Sequence, residues 1–239
     1  GKVSEAIEVF KEGRSLFPDE PDLVSSFIRG MGELCAFEEA FEAYRFQTLS
    51  LKFYPELFEH FIYAAGLNAR AEEAKEAFDL AEKKACCTTL VCTRYIDTAA
   101  ACGNFDEAKR AFEILIKIDQ MDSVAISRYL KVCAQFNRPH EADRCYQLSC
   151  KLNLRDNVIV SGYLEALNEF FEVEKAETVF KEFTQKGIKD VSVNNSMLKV
   201  FSYSQEISRA EVLFKEMLTC NAYCSVSFVI MINAYTYTS

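Results

Sequence analysis

Tryptophan is absent from this chain, and proline and glycine are scarce, four and eight in 239 residues. So few breakers argue against a turn-rich β-sandwich or a low-complexity tract. No run of 18 apolar residues occurs, so no transmembrane helix and no membrane partner are expected. Only two histidines are present, His60 and His140, and neither stands near a Cys or carboxylate motif. There is also no CxxC pair, no Gly-rich phosphate loop and no Ser-centred nucleophile elbow, so no cofactor, metal or catalytic residue is expected. Basic residues are the minority, 27 against 36 acidic, giving a net charge of −9. That is the wrong sign for a generic binder of nucleic acid or anionic membrane, although a local groove can differ from the total.

Half of the residues are hydrophobic, and the segments between breakers are filled by Ala, Leu, Glu and Lys without strand-like alternation. The chain therefore reads as all-α. Ten cysteines are scattered without ligand spacing; small helix residues in a reducing compartment explain them.

A period of 34 residues organises the helices. Ala6, Ala40, Ala74, Ala108, Ala142, Ala176 and Ala210 are equally spaced, and four residues after each stands Phe10, Tyr44, Phe78, Phe112, Tyr146, Phe180 or Phe214. Apolar pairs keep the same period: Phe27-Ile28, Phe61-Ile62, Tyr95-Ile96, Tyr129-Leu130, Tyr163-Leu164, Met197-Leu198 and Met231-Ile232. Fixed-period self-similarity means stacked units, each too small to bury its own apolar face. Two helices fit each period. The Ala and aromatic mark a second helix, as in 105–118 and 173–185; the apolar pair marks a first helix, as in 123–136, 191–203 and 225–237. Breakers fall between them at Gly103-Asn104, Asn137-Arg138-Pro139, Pro18 to Pro21, Gly187 to Asp190 and Arg155 to Asn157. Asp122, Asp156 and Asp190 precede first helices, where a carboxylate caps free amides and suits the helix dipole.

The resulting expectation is one repeat array over 1–239. It has a half repeat at 1–20, full repeats at about 21–54, 55–88, 89–122, 123–156, 157–190 and 191–224, and a half repeat at 225–239. The apolar closing stretch Val226 to Ile232 makes a poor solvent-facing cap, which points to a fragment of a longer chain.

Two repeat families share this length. The tetratricopeptide pattern wants Trp and Gly in its first helix; this chain has no Trp and puts Ile or Leu where that Gly should be. The stretches from Asp190 to Lys199 (DVSVNNSMLK), Ala210 to Met217 (AEVLFKEM) and Phe180 to Asp190 (FKEFTQKGIKD) resemble instead the pentatricopeptide repeat family. The missing Pro before Asp190 accounts for a unit of 34 rather than 35 residues. The resemblance implies a right-handed superhelical α-solenoid of helical hairpins whose first helices line a groove for single-stranded RNA, one base per unit. It also implies a mitochondrion or plastid as the place of work. The family often carries a catalytic domain elsewhere.

In that family, a polar residue on the first helix and the last residue of the same unit read the base edge, between two sandwiching aliphatics. Carried over, base recognition falls to Thr93 with Asp122, Ser127 with Asp156, and Ser161 with Asp190, sandwiched by Leu90, Val124 and Val158, with Ser192 closing the last pair. Hydroxyl with carboxylate is the family's guanine-leaning combination, since a carboxylate accepts from guanine N1 and N2 hydrogens. Asn195 is pyrimidine-leaning, with Cys224 as an unusual partner. Earlier units depart from the pattern: Ser25 with Tyr54 and Glu59 with Thr88 are not recognised pairs, and Asp22 or Glu56 replaces the aliphatic. The family lysine seven residues before the anchoring Ala is missing, its place taken by Glu33, Leu67, Ala101, Gln135, Glu169 and Tyr203. Arg94, Arg128, Lys131 and Lys199 are the candidate phosphate contacts in its stead. The competing reading is a protein-interaction scaffold in an organellar ribosome or RNA-processing complex, favoured by the negative charge and the irregular early units.

Overall fold

The structure is a computed structural model that describes residues 2–18, 20–185 and 190–236. It divides into two compact units, Gly1–Met121 and Asp122–Ser239. The first holds α1 (Lys2–Leu16), α2 (Pro21–Glu33), α3 (Phe37–Leu49), α4 (Pro55–Leu67), α5 (Ala71–Lys83), α6 (Thr89–Ala101) and α7 (Phe105–Lys117). The second holds α8 (Ser123–Gln135), α9 (Pro139–Lys151), α10 (Asn157–Glu169), α11 (Val173–Thr184), α12 (Val191–Tyr203), α13 (Ile207–Thr219) and α14 (Ser225–Thr236). No strand occurs among the described residues.

In each unit the even-numbered helices, the first helices of their repeats, pack side by side: α2 on α4 on α6, and α8 on α10 on α12 on α14. The odd-numbered helices form an outer layer, most of them bridging two consecutive first helices, as α5 bridges α4 and α6 and α11 bridges α10 and α12. Alanines 40, 74, 108, 142, 176 and 210 are fully buried at these crossings, where a larger side chain would hold the helices apart. The two aromatic series meet one another. Phe10 stacks on Phe27, Tyr44 on Phe61, Phe78 on Tyr95 and Tyr146 on Tyr163, with ring centroids 3.9, 3.9, 4.1 and 4.1 Å apart. Each pair joins a second helix to the first helix of the next repeat, adding about 0.5–1.5 kcal/mol beyond area burial.

Ion pairs repeat the linkage between outer helices. Lys75 reaches Glu107 at 2.8 Å, Arg70 reaches Glu38 at 2.8 Å, Arg110 reaches Glu82 at 2.8 Å, and Lys175 reaches Asp143 at 2.6 Å. Arg209 pairs with Glu177 in the same way.

The helix ends are left-handed turns, at the expected breakers Gly103 and Asn137 and also at residues that carry no breaker signal. The chain turns in the left-handed region at Cys35, Leu51, Ala69, Ala85, Gly103, Asp119, Asn137, Asn153, Phe171, Gln205 and Asn221. Only one of these is glycine. At most of them the next residue's N–H returns to the helix, as from Ala36 to Met31 O at 2.9 Å and Glu172 to Leu167 O at 2.9 Å, which closes a Schellman turn. The hydrogen bonds recovered there offset the Cβ crowding of a non-Gly residue. Ile118 and Phe136, read as last helical residues, are the C-caps that begin two of these turns, and Gln185 is the C-cap of α11. The breaker at Gly187 to Lys189, and the helix end at Tyr237, lie outside the described residues.

Candidate nucleic-acid interface

First-helix starts carry the capping chemistry that the sequence announces. Asp122 Oδ1 accepts from the Ala125 amide at 2.7 Å, and Asp156 Oδ1 from Ile159 at 3.0 Å. Asp190 Oδ1 accepts from Ser192 and Val193 at 2.9 and 3.0 Å. Capping takes one carboxylate oxygen and leaves the other oriented by the same cap. In Asp190 that second oxygen accepts from Asn157 Nδ2, 2.8 Å away. Asn157 opens α10, one helical turn before Ser161, so this bond fastens Asp190 beside the start of the helix that carries Ser161.

The hydroxyls are fixed in direction too. Thr93 donates to the Thr89 or Leu90 carbonyl at 2.8 and 3.0 Å, and Ser161 to the Asn157 or Val158 carbonyl at 2.6 and 3.2 Å. With its hydrogen turned into its own helix, each hydroxyl keeps only acceptor capacity. Together with the carboxylate it offers acceptors, which match the N1–H and N2–H₂ donors of guanine. Thr93 and Ser161 are buried, and Ser127 is half-buried. Thr93 and Leu90 belong to the first unit, whereas Asp122 and Val124 belong to the second.

Asn195 meets Cys224, the residue paired with it in the sequence reading. Its Nδ2 donates to Cys224 Sγ at 3.4 Å across 29 residues, and its Oδ1 accepts from the buried Ser227 hydroxyl at 2.6 Å. The same separation of 29 relates Ser161 to Asp190 and Ser127 to Asp156. The Asn195 hydrogen bond, with backbone amides behind it, holds the Cys224 thiol below its ordinary range. Ser227 is a partner of this site that sequence reasoning missed, because its role depends on the register of α14 against α12.

Leu90, Val124 and Val158 are 50, 51 and 41% exposed on their helices. Val226, next but one in the series after Val158 on the far side of Ser192, is 47% exposed and is absent from the sandwich residues named above. The 34-residue period alone would have found it.

In the second unit, α8, α10 and α12 line a groove of about 800 Å³ that includes Ser127, Arg128, Lys131, Glu165, Glu169 and Lys199. The cations differ in their engagement. Lys199 Nζ lies 3.1 Å from Glu165 Oε1. In the first unit Arg94 lies 3.3 Å from Glu59, whose side chain is nearly buried, and over the Tyr63 ring at 4.9 Å. The reading positions there are filled internally, with Tyr54 donating to the Pro21 carbonyl at 3.3 Å. Charge follows the same division: 22 Asp and Glu against 14 Lys and Arg in 1–121 make −8, and 14 against 13 in 122–239 make −1.

Burial lowers His60 below the usual imidazole range. No cluster of metal-ligating side chains occurs among the described residues, and no described helix is long and apolar enough to cross a membrane.

The pentatricopeptide repeat family model matches residues 195–221. Among solved structures, the pentatricopeptide repeat protein PPR10 in complex with an 18-nt psaJ RNA element superposes with a TM-score of 0.68 at 13% identity, covering 98% of this chain and 35% of that one. PPR10 from maize gives 0.66 at 16% identity, covering 96% and 34%. A tetratricopeptide repeat protein from Parabacteroides merdae gives 0.52 at 12% identity, covering 98% and 92%. No curated protein sequence matches this chain. The chain thus has the helical-repeat solenoid fold and spans about a third of the length of the PPR10 structures.

Proposed function

This chain being a pentatricopeptide repeat protein, by its matched repeat and its fold, we propose that it binds single-stranded RNA along its first helices, with a leaning toward guanine. The observation that carries the reading is the exposure of Leu90, Val124 and Val158. A water-facing site that only had to be soluble has no folding reason to be aliphatic at three successive repeats, whereas a base sandwiched between such side chains removes them from water. Each aliphatic stands three residues before a hydroxyl position on the same helix, so stacking and edge reading fall within one helical turn. Ser127 with Asp156 and Ser161 with Asp190 then read guanine, and Asn195 reads a pyrimidine. The near-neutral charge of 122–239 supports placing the strand there. We assign the chain itself no catalytic step, and we place its work in organellar RNA processing, stability or translation, as the family resemblance implies.

A second reading has its own support. The first unit carries −8 and presents Asp22 and Glu56 at sandwich positions, so this half suits a protein partner better than a phosphate backbone.

Fluorescence anisotropy of the chain with G-rich, U-rich and mixed RNA strands at low and high salt tests the proposal. Binding that prefers guanine and weakens steeply with salt is expected through counterion release. Asp156→Ala should weaken binding chiefly where the matching base is guanine; equal loss for every base, or no binding at all, would move the function to the protein scaffold.

A further inference from the structure

Positions 131, 165 and 199 occupy the same register on α8, α10 and α12 and line one groove. They read Lys, Glu, Lys. The central carboxylate does two things there. It holds Lys199 in an ion pair at 3.1 Å, and it places a negative charge between the two lysines. One turn further along α10, Glu169 repeats the sign. A phosphate entering the groove over α10 therefore meets carboxylates, while one entering over α8 meets Arg128 and Lys131.

Resting on the RNA reading above, we infer that Glu165 is an affinity-limiting residue of this groove: it masks Lys199 and denies one backbone phosphate its seat, leaving Lys131 on α8 as the phosphate anchor. Lys131 stands one helical turn before Gln135, so the anchor lies closer to the base-reading end of the helix than a cation at 135 would. Breaking the Lys199–Glu165 pair is not the obstacle, because both side chains are substantially exposed and such surface pairs contribute little. The obstacle is the carboxylate that stays behind beside the phosphate. Phosphate contacts carry no sequence information, so Glu165 lowers the share of binding that is blind to sequence.

The test is Glu165→Gln, measured by anisotropy with G-rich and U-rich strands across a salt series. The expected result is tighter binding by roughly fivefold at low salt for both strands alike. The log–log salt slope should steepen by about 0.7, the value of one added phosphate contact on a single strand. Lys199→Gln in the Glu165→Gln background should abolish that gain, and Lys131→Gln alone should weaken binding and flatten the slope. Glu174→Gln on α11 makes the same charge change away from the groove and should do nothing. Unchanged affinity and slope in Glu165→Gln, or an equal gain in Glu174→Gln, overturns the inference while leaving the RNA reading intact. A wild-type chain that binds no strand at low salt overturns both.

Discussion

Val158→Ala separates folding from binding more cleanly than any other change in the groove. Val158 is 41% exposed on α10, while its helix neighbour Val160 is fully buried. Fully burying a valine contributes about 1.5–3 kcal/mol, so the uncovered part of Val158 leaves about 0.6–1.2 kcal/mol to be gained when bases cover it. Alanine keeps one of the three side-chain carbons. Two thirds of that gain goes with the two lost carbons, so on the proposed sandwich the loss on truncation is about 0.4–0.8 kcal/mol in binding, roughly a two- to fourfold rise in Kd. In the folded chain the same truncation removes some half-buried surface but gains up to about 0.7 kcal/mol of helix propensity, so urea stability should change by no more than about 0.5 kcal/mol. Val160→Ala should do the reverse, destabilising by about 2 kcal/mol through an internal cavity. Paired urea titrations and RNA anisotropy on the two variants decide the matter. If Val158→Ala binds RNA as tightly as the parent, or destabilises the fold as much as Val160→Ala, the sandwich argument is refuted.

Glu107 is the hub of an outer-helix network, accepting from Lys75 at 2.8 Å, Tyr95 at 2.9 Å and Arg110 at 2.9 Å with its side chain only 17% exposed. Burial by itself raises its pKa, but the hydrogen bonds from Lys75 and Tyr95 and the charge of Arg110 outweigh it, and the net direction is down. A depressed carboxylate stabilises the fold above its unfolded pKa and loses that contribution as pH falls through the folded value; Glu107→Gln should therefore cost about 2 kcal/mol near neutrality and flatten the acid limb of a pH–stability curve. Gly32 and Gly30 lie two residues apart on α2 but predict opposite signs. A Cβ on Gly32 would meet the Ala64 Cβ at 2.5 Å and its Cα at 2.7 Å, whereas one on Gly30 meets nothing within 4 Å. By thermal melts, Gly32→Ala should destabilise by about 1–3 kcal/mol through overpacking, and Gly30→Ala should stabilise by up to about 1 kcal/mol. Phe171, 81% exposed with φ 59°, should become more favourable as Phe171→Gly, by about 0.5–1 kcal/mol in urea unfolding; a loss of stability would mean that its ring is held by contacts the turn geometry does not reveal.

The sequence by itself determined what is local and periodic. Helix geometry places Ala142 and Tyr146 one turn apart on one face whatever surrounds them, so the 34-residue period was enough to announce paired helices, their order and the faces they bury. It also announced the caps at Asp122, Asp156 and Asp190, because a side chain accepting from an amide two or three residues on needs no distant partner. Tertiary structure decided the rest. That Tyr146 stacks on Tyr163, that Lys199 is masked by Glu165 and Arg94 by Glu59, and that Ser227 fixes the Asn195 amide all depend on how close one repeat lies to the next and in what register. The helix ends at Ala85 or Phe171 escaped the sequence for a related reason. A left-handed turn there is disfavoured locally and is imposed by the next helix having to pack back on the last. Charge counting on the linear chain could not distinguish a cation facing a groove from one already held by a carboxylate, because that difference is a distance of a few ångströms between helices 34 residues apart.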